Sequence, residues 1–197
     1  ALGPDAAASI ATVRSRLSSD PVEVGTGADA RELGPDLFDL AIATALYDTT
    51  LWGTLAASIS DINDGGASTL LSLVDRQTGR QADGSYDNSS DAQMMVSCAD
   101  SPERPSVDEA AAAGDRIQAA APTFGGITAF GTLGCIDWPV AAEPLPAITG
   151  KGAPTILVVG TVGDPATPYE WAQQMSQTLE SAVLLTYEGD GHTAFLR

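Results

Sequence analysis

Histidine is almost missing from this 197-residue sequence: one residue, His192, stands near the end in GDGHTAFLR. A His-rich metal centre is therefore excluded. Cysteine occurs twice, as Cys98 and Cys135, in neither a CxxC nor a Cys/His ligand spacing, which argues against zinc. Two thiols fit either a pair of buried core residues or one disulfide in an exported protein. Lysine occurs once, at Lys151, and 9 basic residues face 26 acidic ones for a net charge of −17. That balance lacks the basic face that nucleic acid or anionic lipid would demand. Its simplest consequence is solubility. No apolar run approaches the roughly 18 residues that span a bilayer. The longest clean run, Ile156 to Val159, has the length of a core strand. The opening ALGPDAAAS has neither Met nor a signal-peptide pattern, so the chain is expected to be processed or cut from something longer.

What is present divides into two halves. Residues 1–90 carry helical spacing and no strand-like alternation. DAAASIATVRSRL, from Asp5 to Leu17, puts Ile10, Val13 and Leu17 on one face. Further helices are expected over about Asp36 to Tyr47, Leu51 to Ile62 and Ser68 to Asp75, the third stopping at Asp64-Gly65-Gly66. Gly79 to Asp91 is polar and turn-rich and reads as a loop. Beyond it, Met94 to Cys98 reads as a short buried strand, and Val107 to Ala121 as a helix with Asp108 and Glu109 in its first turn. Pro139 to Pro154 is a connector. PTILVVG is a buried strand, Thr167-Pro168-Tyr169-Glu170 opens a helix with Thr167 as N-cap and Pro168 first, and SAVLLTYEG is the next strand.

A strand–helix–strand unit implies a parallel sheet with a right-handed crossover. Functional groups in such sheets gather in loops at the carboxyl ends of the strands. Asp164 follows the first strand and His192 the second, so two neighbouring strands would set them side by side. A carboxylate that orients an imidazole, which in turn deprotonates a hydroxyl, is the acid–base half of a nucleophilic hydrolase. The plainer alternative is a loop histidine beside a capping aspartate.

GTVGDPATP, Gly160 to Pro168, followed by EGDGHTAF, Glu188 to Phe195, resembles the C-terminal part of α/β-hydrolases. VSCADSP and CIDWP, with its Cys-x-x-Trp-Pro, narrow the resemblance to exported tripeptidyl-aminopeptidase-like hydrolases of actinobacteria. The resemblance covers nearly the whole chain. It implies an α/β fold in which residues 1–90 form a helical cap and 91–197 the C-terminal part of the core. It assigns the acid to Asp164 and the base to His192, and suggests a disulfide between Cys98 and Cys135. Asp100 and Glu103, read as following a strand end, become candidates to bind a substrate ammonium, against the simpler reading of a solvated turn or helix cap. Trp138 reads as core. Phe38, Tyr47 and Trp52 read as helix-packing or pocket-lining aromatics. No metal or organic cofactor is called for.

One departure from the pattern is decisive. Triads on this fold run Ser, Asp, His, with the serine in a Gly-x-Ser-x-Gly elbow. No serine in this sequence stands in that pattern; Asp83-Gly84-Ser85-Tyr86-Asp87 has aspartate at both of its glycine positions and follows no strand. The chain is therefore expected to be a piece of a secreted serine hydrolase, a cap plus the last third of the sheet. Its partner would be an N-terminal half carrying the serine, and its substrate a peptide cleaved near the N-terminus. A carboxylesterase and a non-catalytic binding fragment are the competing readings.

Overall fold

The structure, a computed structural model, describes residues 5–129, 131–140 and 146–195. The first residues of the opening ALGPDAAAS, residues 141–145 of the connector and the terminal Arg197 lie outside the described residues. Contacts group the chain into two compact units, residues 1–44 with 53–144, and residues 45–52 with 145–197. These units do not divide at residue 90.

The first unit is helical. Helix α1 spans Ala6–Ser19 and is capped by the Asp5 side chain, which accepts from the Ala8 N–H at 2.9 Å. Leu17, on the expected inward face, is fully buried. The absence of strands expected here is corrected by two short ones, β1 (Val22–Val24) and β2 (Arg31–Leu33), paired antiparallel with Val22 opposite Leu33. Three-residue strands are too short to show alternation. Helix α2 (Pro35–Leu46) buries Phe38, Ala41, Ile42 and Ala45, which makes Phe38 core. It also buries Asp39, whose Oδ2 accepts from Arg14 Nε at 2.6 Å. Helix α3 (Trp52–Ser60) ends in a kinked turn where Gly65 takes φ 103°. Gly66 is confined there because a Cβ would strike the Ser58 carbonyl. Helix α4 (Ala67–Thr78) buries Leu70, Leu71, Leu73 and Val74 and stops at a left-handed Gly79, φ 70°.

Met94 to Cys98 is not a strand. It lies inside helix α5 (Ser89–Asp100), which begins within the stretch read as loop. Met94, Met95 and Val96 are exposed and only Cys98 is buried, so the run has no second buried face to fill. Short apolar runs do not carry a period of their own. Helix α6 (Val107–Ala120) matches expectation and gains a capping box: Ser106 and Glu109 bond reciprocally, at 3.3 and 2.9 Å. Helix α7 (Gly125–Thr128) and a 3-10 turn over Gly131–Cys135 follow. Cys98 and Cys135 are joined in a disulfide with Cα atoms 5.2 Å apart. Trp138 is half-buried.

The second unit is the α/β part: β3 (Ile156–Gly163), α8 (Tyr169–Thr178) and β4 (Ala182–Asp190), with β3 and β4 parallel. Helix α8 starts after Pro168, so Thr167 is not its N-cap. The Thr167 hydroxyl donates to Asp164 instead. The helix seats closely on β3 at Gly160, where a Cβ would come within 2.7 Å of the Ala172 Cβ and 2.8 Å of the Tyr169 ring. Gly160 and Val158 thus face the helix, and period two sends Leu157 and Val159 to the opposite face.

Candidate active site

The register of the sheet sets the site. Leu157 pairs with Val183 and Val159 with Leu185. After a shift beyond Thr161, Gly163 pairs with Asp190, so both strands end level. A Cβ at Gly163 would meet the Asp190 carboxylate, so glycine leaves that side chain room beside the strand end. Asp164 comes immediately after β3. His192 comes two residues after β4, past Gly191, which turns the chain at φ 96° and donates its N–H to the Gly163 carbonyl at 3.2 Å. Loops far apart in sequence are thereby brought together, as the parallel strands implied.

The Asp164 side chain is nearly buried, 4% exposed, and five donors surround it. Oδ1 accepts the N–H groups of Ala166 and Thr167, both at 2.8 Å. Oδ2 accepts the Thr167 hydroxyl at 3.0 Å and the Thr193 N–H at 3.2 Å. His192 Nδ1 lies 3.0 Å from each oxygen. Burial by itself would raise the carboxyl's pKa. The backbone N–H groups of Thr167, Ala166 and Thr193, with His192, outweigh it and hold the pKa down at about 2 against an ordinary 3.8. An ionised carboxylate only accepts, so the proton of the neutral imidazole sits on Nδ1 and Nε2 keeps its lone pair.

The folded pKa is the lower one, so Asp164 adds stability above about pH 3.8 that is lost as pH falls through about 2. A carboxyl ¹³C titration is expected to place the Asp164 midpoint near 2; a midpoint at the ordinary value would mean that the donor ring is not formed.

The His192 backbone is fixed as firmly as its ring. Its N–H donates to the Tyr47 carbonyl at 2.8 Å, and the two rings meet edge-on with centroids 4.9 Å apart. Thr193 takes φ 63°, a left-handed conformation costly for a β-branched residue, and aims its N–H at Asp164. The His192 side chain remains 30% exposed. Sequence reasoning missed Thr167 as a donor and Tyr47 as a neighbour of His192. The Asp-x-x-Thr spacing across the turn was the available signal for the first.

Asp100 and Glu103 do not follow a strand. Asp100 is the last residue of α5, and both side chains are exposed in the helical unit, not in the unit that holds Asp164 and His192. The missed residue in that segment is Arg104. Its guanidinium donates to the carbonyls of Cys98, Ser101, Glu103 and Val140 at 2.7–2.8 Å, closing the C-terminal end of α5 beside the disulfide. Among the described residues no group of three or more His, Cys, Asp or Glu is placed to hold a metal ion.

The family model described as TAP-like protein matches residues 121–197, which include β3, α8, β4 and both site loops. Serine protease Hip1 of Mycobacterium tuberculosis is 35% identical over 153 residues, 76% of this chain and 29% of that protein. Residues 121–197 belong to the TAP-like family of α/β-hydrolases. Carboxylesterase B of Mycobacterium tuberculosis is 35% identical to this chain over 182 residues, covering 89% of it and 35% of the esterase. Tripeptidyl aminopeptidase of Streptomyces lividans is 42% identical over 60 residues, 30% of this chain and 11% of that enzyme. The chain thus spans about a third of the length of the first two relatives. The parallel sheet and its crossover helix are consistent with the C-terminal portion of an α/β-hydrolase. No helix among the described residues is long and apolar enough to cross a membrane. The disulfide fits an oxidising, extracytoplasmic setting.

Proposed function

We propose that this chain supplies the acid and the base of a secreted serine hydrolase whose nucleophilic serine lies in an upstream segment of the same polypeptide. The observation that carries the reading is the Asp164–His192 pair, set on adjacent loops at the carboxyl ends of two parallel strands. Asp164 fixes the imidazole as the Nδ1–H tautomer and stabilises the imidazolium once it forms. Nε2 takes the proton of the attacking hydroxyl and returns it to the leaving group.

The favoured substrate is a peptide from which short pieces are released at the N-terminus. Its support is the likeness to a serine protease and, over a shorter stretch, to a tripeptidyl aminopeptidase. The second reading is a carboxylesterase, because the longest of these matches, 89% of the chain, is to an esterase at the same identity. The exposed positions of Asp100 and Glu103 lend no support to an ammonium site there.

A panel of tripeptide anilides, N-blocked tripeptide anilides and p-nitrophenyl esters, assayed on the full-length protein, separates the two. The peptidase reading expects kcat/KM on free-amine tripeptides to exceed that on blocked ones by at least about 100-fold, the scale of a lost charged contact. Ester turnover with no turnover of either anilide overturns it in favour of the esterase.

A further inference from the structure

The segment 45–52 leaves the helical unit in sequence yet packs with the α/β unit. It follows α2 and turns at Asp48, whose carboxylate accepts from the Thr50 N–H at 3.0 Å and the Thr50 hydroxyl at 2.8 Å. That turn presents Tyr47 to the His192 loop in two independent ways. The Tyr47 carbonyl receives the His192 N–H at 2.8 Å. The Tyr47 ring meets the imidazole at 68°, centroids 4.9 Å apart. Both side chains keep about a third of their surface open, 37% for Tyr47 and 30% for His192, so the aromatic ring forms a wall beside the base rather than a plug over it.

We propose that Tyr47 is a positioning residue for His192, its carbonyl fixing the loop and its ring setting the plane of the imidazole. The inference rests on the reading of His192 as the base. An imidazole held by a carboxylate at one nitrogen still turns about the bond to its Cβ. Nε2, on the far side of the ring from Nδ1, sweeps an arc as it does so. Asp164 accepts at Nδ1 through two oxygens at equal distance, which tolerates such rotation. An aromatic edge against the ring does not. Proton transfer demands a donor–acceptor line held to a few tenths of an ångström, so a ring free to swing loses rate without losing its pKa partner.

Two variants of the full-length protein test this, with p-nitrophenyl acetate as the probe. Tyr47→Ala keeps the backbone carbonyl and removes the ring; Tyr47→Phe restores the ring. The Ala variant is expected to lose kcat about tenfold or more with KM changed less than about threefold, and Phe to recover most of the loss. In parallel, His192 is the chain's single histidine, so its ring ¹⁵N signals need no assignment by elimination within these 197 residues. In wild type they should show one Nδ1–H tautomer with a sharp Nδ1–H resonance, and in Tyr47→Ala a broadened one. Ala at wild-type kcat, or a loss confined to KM, overturns the proposal. Unchanged imidazole signals overturn it whether or not the protein hydrolyses the ester. A wild-type protein that turns over neither the ester nor a tripeptide anilide while its Tyr47→Ala form broadens the His192 signal refutes the hydrolase reading and leaves the positioning role standing.

Discussion

Asp164→Asn in the full-length protein is expected to lower kcat for ester or peptide hydrolysis by about four orders of magnitude while leaving KM within a few-fold. The carboxylate receives five donors: three from the turn it closes, the N–H groups of Ala166 and Thr167 and the Thr167 hydroxyl, and two from the loop after β4, the Thr193 N–H and His192 Nδ1. An amide can replace only one oxygen of the two. With the carbonyl kept toward Ala166 and Thr167, its NH₂ faces Thr193, the Thr167 hydroxyl and His192 Nδ1. The imidazole must then present a lone pair at Nδ1 and its proton at Nε2, the wrong tautomer for a base. His192→Ala should be at least as damaging, because it removes the proton acceptor itself. Steady-state kinetics on both variants, with circular dichroism to confirm folding, check the expectation. A kcat within tenfold of wild type in either would remove the pair from catalysis.

The second large effect concerns the sheet. A parallel sheet is normally covered on both faces. Here β3 and β4 stand as a two-stranded sheet among the described residues. Leu157 is 60% exposed and Val159 46%, and their register partners Val183 and Leu185 are 53% and 52% exposed on the same face. Trp171 and Met175 of α8 add to this open apolar surface. Covering one such half-exposed aliphatic side chain contributes about 1 kcal/mol, and an unpaired parallel edge invites association. In the proposed full-length protein, upstream helices would cover this face and upstream strands would pair the open edge. Amides of residues 156–160 and 183–187 are then expected to exchange at least about 1000-fold faster in the isolated 197-residue chain than in the full-length protein, and the isolated chain should bind an apolar dye and self-associate. A monomeric, dye-silent chain with protected amides in both strands would show that the sheet is complete as it stands.

The site was legible because its signals are local and strong. The β-branched run Ile156 to Val159, the turn after it, the helix opening at Thr167-Pro168 and the second apolar run Ala182 to Leu185 leave one arrangement, two parallel strands with a crossover. Asp164 and His192 then fall at the strand ends by counting. The donors around Asp164 were half legible: the turn was evident, but Thr167 was assigned to cap the helix because the same hydroxyl can serve either purpose. The nearer carboxylate took it. Met94 to Cys98 was misread because so short a run carries no period, and unbranched Met94 and Met95 suit a helix whose one buried residue, Cys98, is tied to Cys135. The strands Val22–Val24 and Arg31–Leu33 were too short to alternate visibly. Tyr47 lies far from His192 along the chain, and nothing local marks a tyrosine just past the end of a helix as the neighbour of a histidine so distant in sequence. The absent Gly-x-Ser-x-Gly is what carries the proposal that the nucleophile lies outside these residues.

That point is also the most directly testable. The full-length protein would be labelled with a fluorophosphonate, which reacts only with an activated serine, and the modified peptide identified by mass spectrometry in wild type and in His192→Ala. The account predicts one labelled serine, in a Gly-x-Ser-x-Gly segment upstream of this chain, and no labelling without His192. A labelled serine among these 197 residues, or labelling that survives His192→Ala, would contradict it.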